Sequence, residues 1–408
     1  MKNYDLIVVG GGISGVAAAV SAAREGLSVL LIERFGSLGG AMSNSLVYPF
    51  MKHRMRHDDR FLLSAGIFTE MKQRHRDYGD LSWETYKFVF DDMATEAGVE
   101  LLFHATVISA ASDERKILSI QVATKMGVLD FSAQYFIDAS GDGDLIALSG
   151  CSYQLGRESD GYCQPMTTCF RVCGVDTDRF FAEEDKLQEI YQEYQKQNKL
   201  INPRENILCF KGPGHGVVHF NTTRIVKHDP TNAFDVSRAE IQARRQIQEM
   251  LCFLKKHSTA FEHASLVSIA SQIGIRESRK LKGVHVLTAD ELKACTRFED
   301  SIAIGNYDID IHNPSGSGTY IYTFGEDEYF SIPYRSLLPK EYDNLLVAGR
   351  CLSADHTAHS AVRIMPICAC IGEAAGVAAS IAKKNNQAVQ AIDIASLQAL
   401  LKQKGAKI

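Results

Sequence analysis

Basic charge is not in excess in this sequence: 44 Lys and Arg stand against 49 Asp and Glu, a formal net charge of −5 with no block of like charge. That excludes the electrostatic footprint expected of a DNA-binding chain or of a protein held on an anionic membrane. Cysteine is sparse, ten in 408 residues, too few for a disulfide-stapled scaffold. Several cysteines, such as Cys368 and Cys370, stand in apolar surroundings, which fits a reducing cytoplasm. Long hydrophobic runs are missing as well. No uncharged apolar run approaches the roughly 20 residues that span a bilayer, and the richest stretches, 16–23 and 374–382, read as alanine-rich helices. The opening residues carry no basic region or small-residue cleavage site, because glycines interrupt the apolar run that starts at Leu6. Repeats and low-complexity segments are absent too. The expectation is a soluble cytoplasmic protein with neither membrane nor nucleic acid as partner, and with oligomerisation open.

What is present is ordinary globular material, 45% hydrophobic, 9% aromatic and 23% charged, in a chain longer than one core usually serves. Residues 4–9 are a short apolar run, 16–24 have helical character, and 27–32 are a second apolar run, which together make a βαβ unit. Between run and helix lies Gly10-Gly11-Gly12-Ile13-Ser14-Gly15, and the second run closes on Glu33. In such a fingerprint Gly10 permits the tight turn, Gly12 lets backbone approach a pyrophosphate, and Gly15 allows helix to pack on strand. The helix start offers unpaired N–H groups to phosphate, and the terminal acid accepts from a ribose hydroxyl. A single glycine motif is weak, but strand, glycines, helix, strand and acid in register point to a dinucleotide.

After Glu33 comes a second glycine-bearing loop, Arg34 to Met42 with Gly39 and Gly40, placed to lie along a cofactor. A helix over 84–97, strands over 99–103 and 105–110, and an antiparallel pair around 125–127 follow as a β-meander. The strand 135–139 ends in Ser140-Gly141-Asp142-Gly143-Asp144, small residues and acids that let a ligand come close. From 151 to 333 the texture changes, with strands near 167–172 and 217–221 among helices over 179–199 and 237–256. This stretch reads as an inserted α+β substrate domain. The opening pattern returns in the buried strand 344–349 and in a long small-residue helix from Met365, introduced by Pro366. The expected organisation is an α/β, Rossmann-like nucleotide-binding domain from 1–150 and 334–408, with 151–333 as the cap. The segment 313–318 reads as a mobile loop that could cover the pocket.

Three separated segments carry a family resemblance: Gly10 to Gly15 with Glu33 and Gly39-Gly40; Ile137 to Asp144; and Leu345 to Cys351 running through Arg363-Ile364-Met365-Pro366 to Gly376. The chain resembles FAD-dependent oxidoreductases of the glutathione-reductase-like superfamily, in a bacterial group of unassigned substrate distantly akin to the fumarate reductase flavoprotein and the flavoprotein that modifies tRNA wobble uridine. The resemblance implies non-covalent FAD. Gly10, Gly12, Ile13, Ser14 and Gly15 would hold the pyrophosphate, and Glu33 the adenosine ribose with Arg34 beside it. Gly39, Gly40, Ala41 and Met42 would run past the phosphates, Val107 would meet adenine, and Ala139, Ser140 and Gly141 would close over ribose and pyrophosphate. Gly349, Arg350, Arg363 and Met365 would border the flavin ring, with a helix dipole near Pro366 favouring the charge of the reduced ring. A CxxxxC pair near the flavin and a second GxGxxG are both missing, so disulfide reduction and a tightly held nicotinamide are not encoded. Reducing equivalents must come from substrate or from a partner, and the electron donor or acceptor that serves as partner is of unknown identity.

Candidates for chemistry follow from residue type. Arg276 and Arg363, in family-like segments, could grip an anionic substrate group through paired donors, although surface ion pairing is the commoner fate of an arginine. His356, His359, His312 and Tyr334 could handle the proton that accompanies hydride transfer, while a histidine that satisfies local backbone is as ordinary. His215 and His219 alternate onto one face and could line the pocket; without a third ligand in register no metal site is expected. The leading expectation is hydride transfer between a small metabolite and flavin N5. A flavin monooxygenase and a non-catalytic protein keeping the fold are the alternatives.

Overall fold

The computed structural model describes residues 2–79 and 82–408. Strands β1 (Lys2–Val9), β2 (Val29–Ile32), β3 (Glu100–Leu102), β4 (Thr106–Asp113), β5 (Lys116–Thr124) and β6 (Gly127–Asp138) join in the order β3-β2-β1-β6-β5-β4. The pairs β3-β2, β2-β1 and β1-β6 are parallel; β6, β5 and β4 form the antiparallel meander, turning at Thr124↔Gly127 as the sequence led one to expect. Leu345–Val347 returns to this sheet parallel to β6, with Val347 opposite Asp138. The twelve-residue length of β6 lets one part pair with the meander and its end pair with the returning strand.

Period-two alternation sorts this sheet into two cores. Leu6, Val8, Val29, Leu31, Ile137 and Leu346 face α1 (Ile13–Arg24) and the closing helix Met365–Asn385. Ile7, Val9, Leu30, Ile32, Phe136 and Val347 face the meander residues Ile120 and Val122. Both faces are covered, which is why these strands read as continuous apolar runs.

The closing helix lies against α1 backbone to backbone. A Cβ on Gly372 would stand 2.1 Å from the Ser14 carbonyl oxygen, and one on Gly376 would stand 2.2 Å from that of Ala18. Matching four-residue steps mean the two helices run side by side in the same direction. By length and composition the closing helix could cross a membrane, a span the sequence reading did not assign, but 94% of that window is buried inside the protein.

The stretch from 151 to 333 carries a separate four-stranded antiparallel sheet, ordered Ser265–Ile269, Phe170–Cys173, Val218–Phe220, Cys209–Lys211. Its core of Phe170, Phe180, Phe220 and Phe261 is completed by Ile247, Met250 and Phe253 of the helix Ala233–His257. The helix expected over 179–199 is two, Thr177–Ala182 and Glu184–Lys196, broken where Glu183 leaves helical geometry and accepts the Ser258 hydroxyl. Leu287, Ile302, Phe330 and Ile332 pack into the core shared by α1 and the closing helix, so this later part of the stretch is continuous with the nucleotide-binding half. The segment 313–318 is the tip of a hairpin between Ile309–His312 and Thr319–Tyr322. Asn313 Nδ2 donates to the Ser317 carbonyl at 2.8 Å, and Arg157 reaches Ser315 Oγ at 2.8 Å.

One buried acid sits under the closing helix. Glu373 accepts from the Ile67 N–H at 3.2 Å and leaves no room for a side chain at Gly66, whose φ is +64°. Burial pushes its carboxyl up to about 7. Between the ordinary glutamate value and about 7 the folded chain keeps a proton that the unfolded chain has lost. The stability this carboxyl contributes is therefore complete below that window and lost as pH rises through it. A shift of this size corresponds to about 3 kcal/mol. Glu373→Gln, which still accepts from Ile67, should melt a few degrees above the parent at about pH 8 and together with it near pH 4.5; thermal melts across this range check it.

Candidate active site

One cavity of about 810 Å³ runs from the glycine loop into the cap. Its first end is made by Gly10, Gly12, Ile13, Ser14, Glu33, Arg34, Gly39, Gly40 and Ala41, joined by Ala139, Ser140, Gly141, Gly349, Arg350 and Met365. Here strand ends, loops and two helix starts meet. The φ of +100° at Gly10 turns the chain away from β1, and a Cβ at Gly15 would stand 1.8 Å from the Gly10 carbonyl oxygen, so α1 can approach only through glycine. Gly40, at φ +54°, crosses the glycine loop with its Cβ direction 2.8 Å from the Gly12 Cα. Gly12 is different: a Cβ there meets only the Gly40 Cα, at 4.0 Å, so its missing side chain leaves room on the cavity side.

Glu33 holds this loop in shape. Its Oε2 accepts from the Gly11 N–H at 2.7 Å and its Oε1 from the Phe35 N–H at 2.9 Å, and burial raises its pKa. Each oxygen keeps a second lone pair for a hydroxyl donor. Asp138 plays the same part at the end of β6, on the other side of β1. It is fully buried and accepts from the N–H and hydroxyl of Ser140 at 3.0 and 2.7 Å and from the Ile146 N–H at 2.9 Å, which shapes the 139–144 turn. Asp142 takes Arg350 at 2.8 Å and faces Arg34 at 3.7 Å. Burial, with Asp142 and Asp138 nearby, pushes Asp144 up to about 6. Ser14 Oγ and Arg350 Nη1 are buried with no partner among the described residues, polar atoms that a phosphate or ring carbonyl would satisfy. The residues present therefore fit a dinucleotide. Gly15 and Met42 support the cradle from outside the cavity wall, and Val107 is buried in β4, paired with Val122 rather than lining the cavity.

The other end is lined by Arg204, Asn206, Phe210, Asn221, Arg276, Tyr307, Asp310, His312 and Thr319. Arg276 donates to the Pro165 carbonyl at 2.7 Å and to Thr167 Oγ1; Arg363 donates to Gln164 Oε1 at 3.1 Å, leaving Nε unpartnered. His312 Nδ1 accepts from Arg224 at 3.0 Å, which leaves the proton on Nε2, directed to Asp310 at 3.5 Å. Burial and the Arg276 charge push its pKa down to about 3, so it is a neutral imidazole that positions Asp310. Tyr307 also donates to Asp310, at 3.2 Å. Burial alone would raise the Asp310 pKa; His312 and the surrounding arginines hold it far below the carboxylate range.

Of the six side chains expected to do chemistry, Arg276, Arg363 and His312 line this cavity, whereas Tyr334, His356 and His359 do not. Tyr334 is buried in the core and gives its hydroxyl to the Val389 carbonyl at 2.8 Å. His359 is fully buried with Nε2 on the Arg350 carbonyl at 2.8 Å, so it braces the Gly349–Cys351 turn. His356 pairs with buried Glu277, which also holds Lys280. His219 is sealed between Trp83 and Phe210. Sequence reasoning missed Arg204, Tyr307 and Asp310. The alternation of Asp310 and His312 along one strand was the available signal.

A family described as FAD dependent oxidoreductase matches residues 5–401. The chain belongs to the FAD-dependent oxidoreductase family. Its cofactor is FAD, and the sheet is the Rossmann-type support for it. Among curated relatives, digeranylgeranylglycerophospholipid reductase 1 of Methanococcoides burtonii is 27% identical over 201 residues, 44% of this chain and 47% of that protein. A probable electron transfer flavoprotein-quinone oxidoreductase of Escherichia coli is 26% identical over 164 residues, 36% of this chain and 37% of that protein. The chain thus spans less than half the length of these relatives. Among solved structures, a geranylgeranyl bacteriochlorophyll reductase-like protein from Thermoplasma acidophilum aligns with a TM-score of 0.49 and 14% identity, over 99% of this chain and 84% of that one.

The two glycines make opposite predictions. Gly15→Ala should compromise folding itself, because its Cβ meets backbone. Gly12→Ala should keep the melting temperature of the ligand-free protein within about 2 °C while weakening FAD at least about tenfold, as read by the flavin-to-protein absorbance ratio and fluorescence titration.

Proposed function

We propose that this flavoenzyme transfers a hydride between a small anionic metabolite, held at the cap end of the cavity, and the flavin, held non-covalently at the glycine end. The observation that carries this reading is the single cavity in which the glycine cradle is continuous with Arg276, Arg363 and the Asp310–His312 pair. When bound, FAD supplies a two-electron acceptor or donor. The chain's own residues supply the rest. Arg276 and Arg363, whose other donors are anchored on Pro165, Thr167 and Gln164, orient an anionic group of the substrate. Asp310 accepts the hydrogen of a substrate hydroxyl or amine. The field that keeps Asp310 ionised comes from the arginines, and an anionic substrate offsets that field, so the carboxylate becomes a better base as substrate binds. Tyr307 and His312 hold it in place from two sides. Electrons then leave to, or arrive from, a second partner.

Anaerobic addition of hydroxy acids, amines and sugars to the FAD-loaded protein should bleach the visible flavin band with one anionic class. Denaturation should release all the flavin into solution. No bleaching by any member, with rapid air reoxidation that depends on an external reductant, would move the assignment to oxygen activation. Arg276→Gln and Arg363→Gln should each lower kcat/KM by about a hundredfold with flavin content unchanged, and Asp310→Asn should lower kcat more than it raises KM.

A further inference from the structure

The charges around the cavity are balanced at one end and unbalanced at the other. At the flavin end, Arg34 and Arg350 share Asp142, and Arg279 pairs with Asp144 at 3.0 Å. In the cap, Arg224 is fully engaged: Glu205 at 2.9 Å, the Gly318 carbonyl at 3.0 Å, Thr319 Oγ1 at 3.1 Å and His312 at 3.0 Å. Leaving aside the solvent-exposed Lys52, what remains on this wall among the described residues is three guanidinium groups, Arg204, Arg276 and Arg363, facing one carboxylate not already paired, Asp310, with His312 neutral. Arg204 is only 4% exposed and its Nη1 has no partner; its Nε meets Asn206 alone, at 2.9 Å. Burial and the neighbouring arginines push Arg276 down to about 9 and Arg204 down to about 10. A buried cation without a counter-ion is costly, and this wall keeps two in excess.

We propose that the metabolite is a small dianion, carrying either two carboxylates or one phosphate ester, and that Arg204 is the residue that selects it over monoanions. The proposal rests on the reading that the cap end of the cavity is the substrate end. Two excess positive charges in a low-dielectric wall are matched by two negative charges, and a monoanion leaves one guanidinium uncompensated. The donors come from three separate segments, at residues 204, 276 and 363. Arg204 reaches it through the unpartnered Nη1.

The test uses FAD-loaded protein with malonate, methyl phosphate and acetate as probes, followed by the flavin difference spectrum and by thermal melting at fixed ionic strength. Malonate or methyl phosphate should bind at least about tenfold more tightly than acetate, with the preferred one naming the dicarboxylate or the phosphate source. Arg204→Gln should weaken the dianion by about 10- to 100-fold and change acetate by less than about threefold. The same variant should melt no lower than the parent without ligand, because it removes like-charge repulsion; a purely structural arginine would lower the melting temperature. Arg276→Gln serves as the second variant if Arg204→Gln does not fold. Equal affinity for acetate and both dianions, or unchanged dianion affinity in the variants, overturns the proposal. The two readings separate cleanly. Dianion binding without flavin bleaching by any metabolite would sink hydride transfer alone, and bleaching by a monoanionic metabolite, unaffected by Arg204→Gln, would sink the dianion alone.

Discussion

The close contact between α1 and the closing helix is the constraint on which the site depends. Gly372 over the Ser14 carbonyl and Gly376 over that of Ala18 let two backbones meet where any larger residue would hold them apart. Because the helices run in the same direction, both of their starts are delivered to one cavity: Gly12 to Ser14 from the first, Ile364 and Met365 from the second. Residues more than 300 positions apart in sequence thereby border one cavity. Tyr135, whose hydroxyl meets the Ala382 carbonyl at 3.0 Å, and Glu373 beneath Gly66 fasten the closing helix to its surroundings.

Around that contact the structure spends buried carboxylates on backbone geometry. Glu33 and Asp138 stand at the ends of the two strands that flank β1, and both satisfy N–H groups of nearby turns. These acids shape the cradle from behind, leaving the partnerless polar atoms, Ser14 Oγ and Arg350 Nη1, for the cofactor. The cap follows a different rule. Arg204, Arg276 and Arg363 are anchored at their edges by carbonyls and amides instead of being neutralised by acids, so they keep charge and direction together.

Much of the nucleotide half was legible in sequence because its signals are local. The glycine spacing, the continuous apolar strands and the acid at the strand end are short-range consequences of backbone approach and burial. The meander turn at Lys125–Gly127 was legible for the same reason. Residue type misled where a side chain had two possible employers. His356, His359 and Tyr334 look like proton carriers, yet each is consumed by a nearby acceptor: Glu277, the Arg350 carbonyl and the Val389 carbonyl. The single helix expected over 179–199 failed at Glu183, where a long-range partner, Ser258, overrides local helical preference.

By itself the sequence determined the βαβ start, the flavin cradle and the return of the chain to its first sheet, since each is written in spacing that a few neighbouring residues enforce. Only the tertiary structure decided which charged groups meet. Arg204, Arg276, Arg363, Asp310 and Tyr307 come from four distant segments, and no periodicity relates them. Whether a guanidinium is neutralised or left open is a property of what surrounds it in space, and in this protein that difference separates the structural Arg224 from the open Arg204.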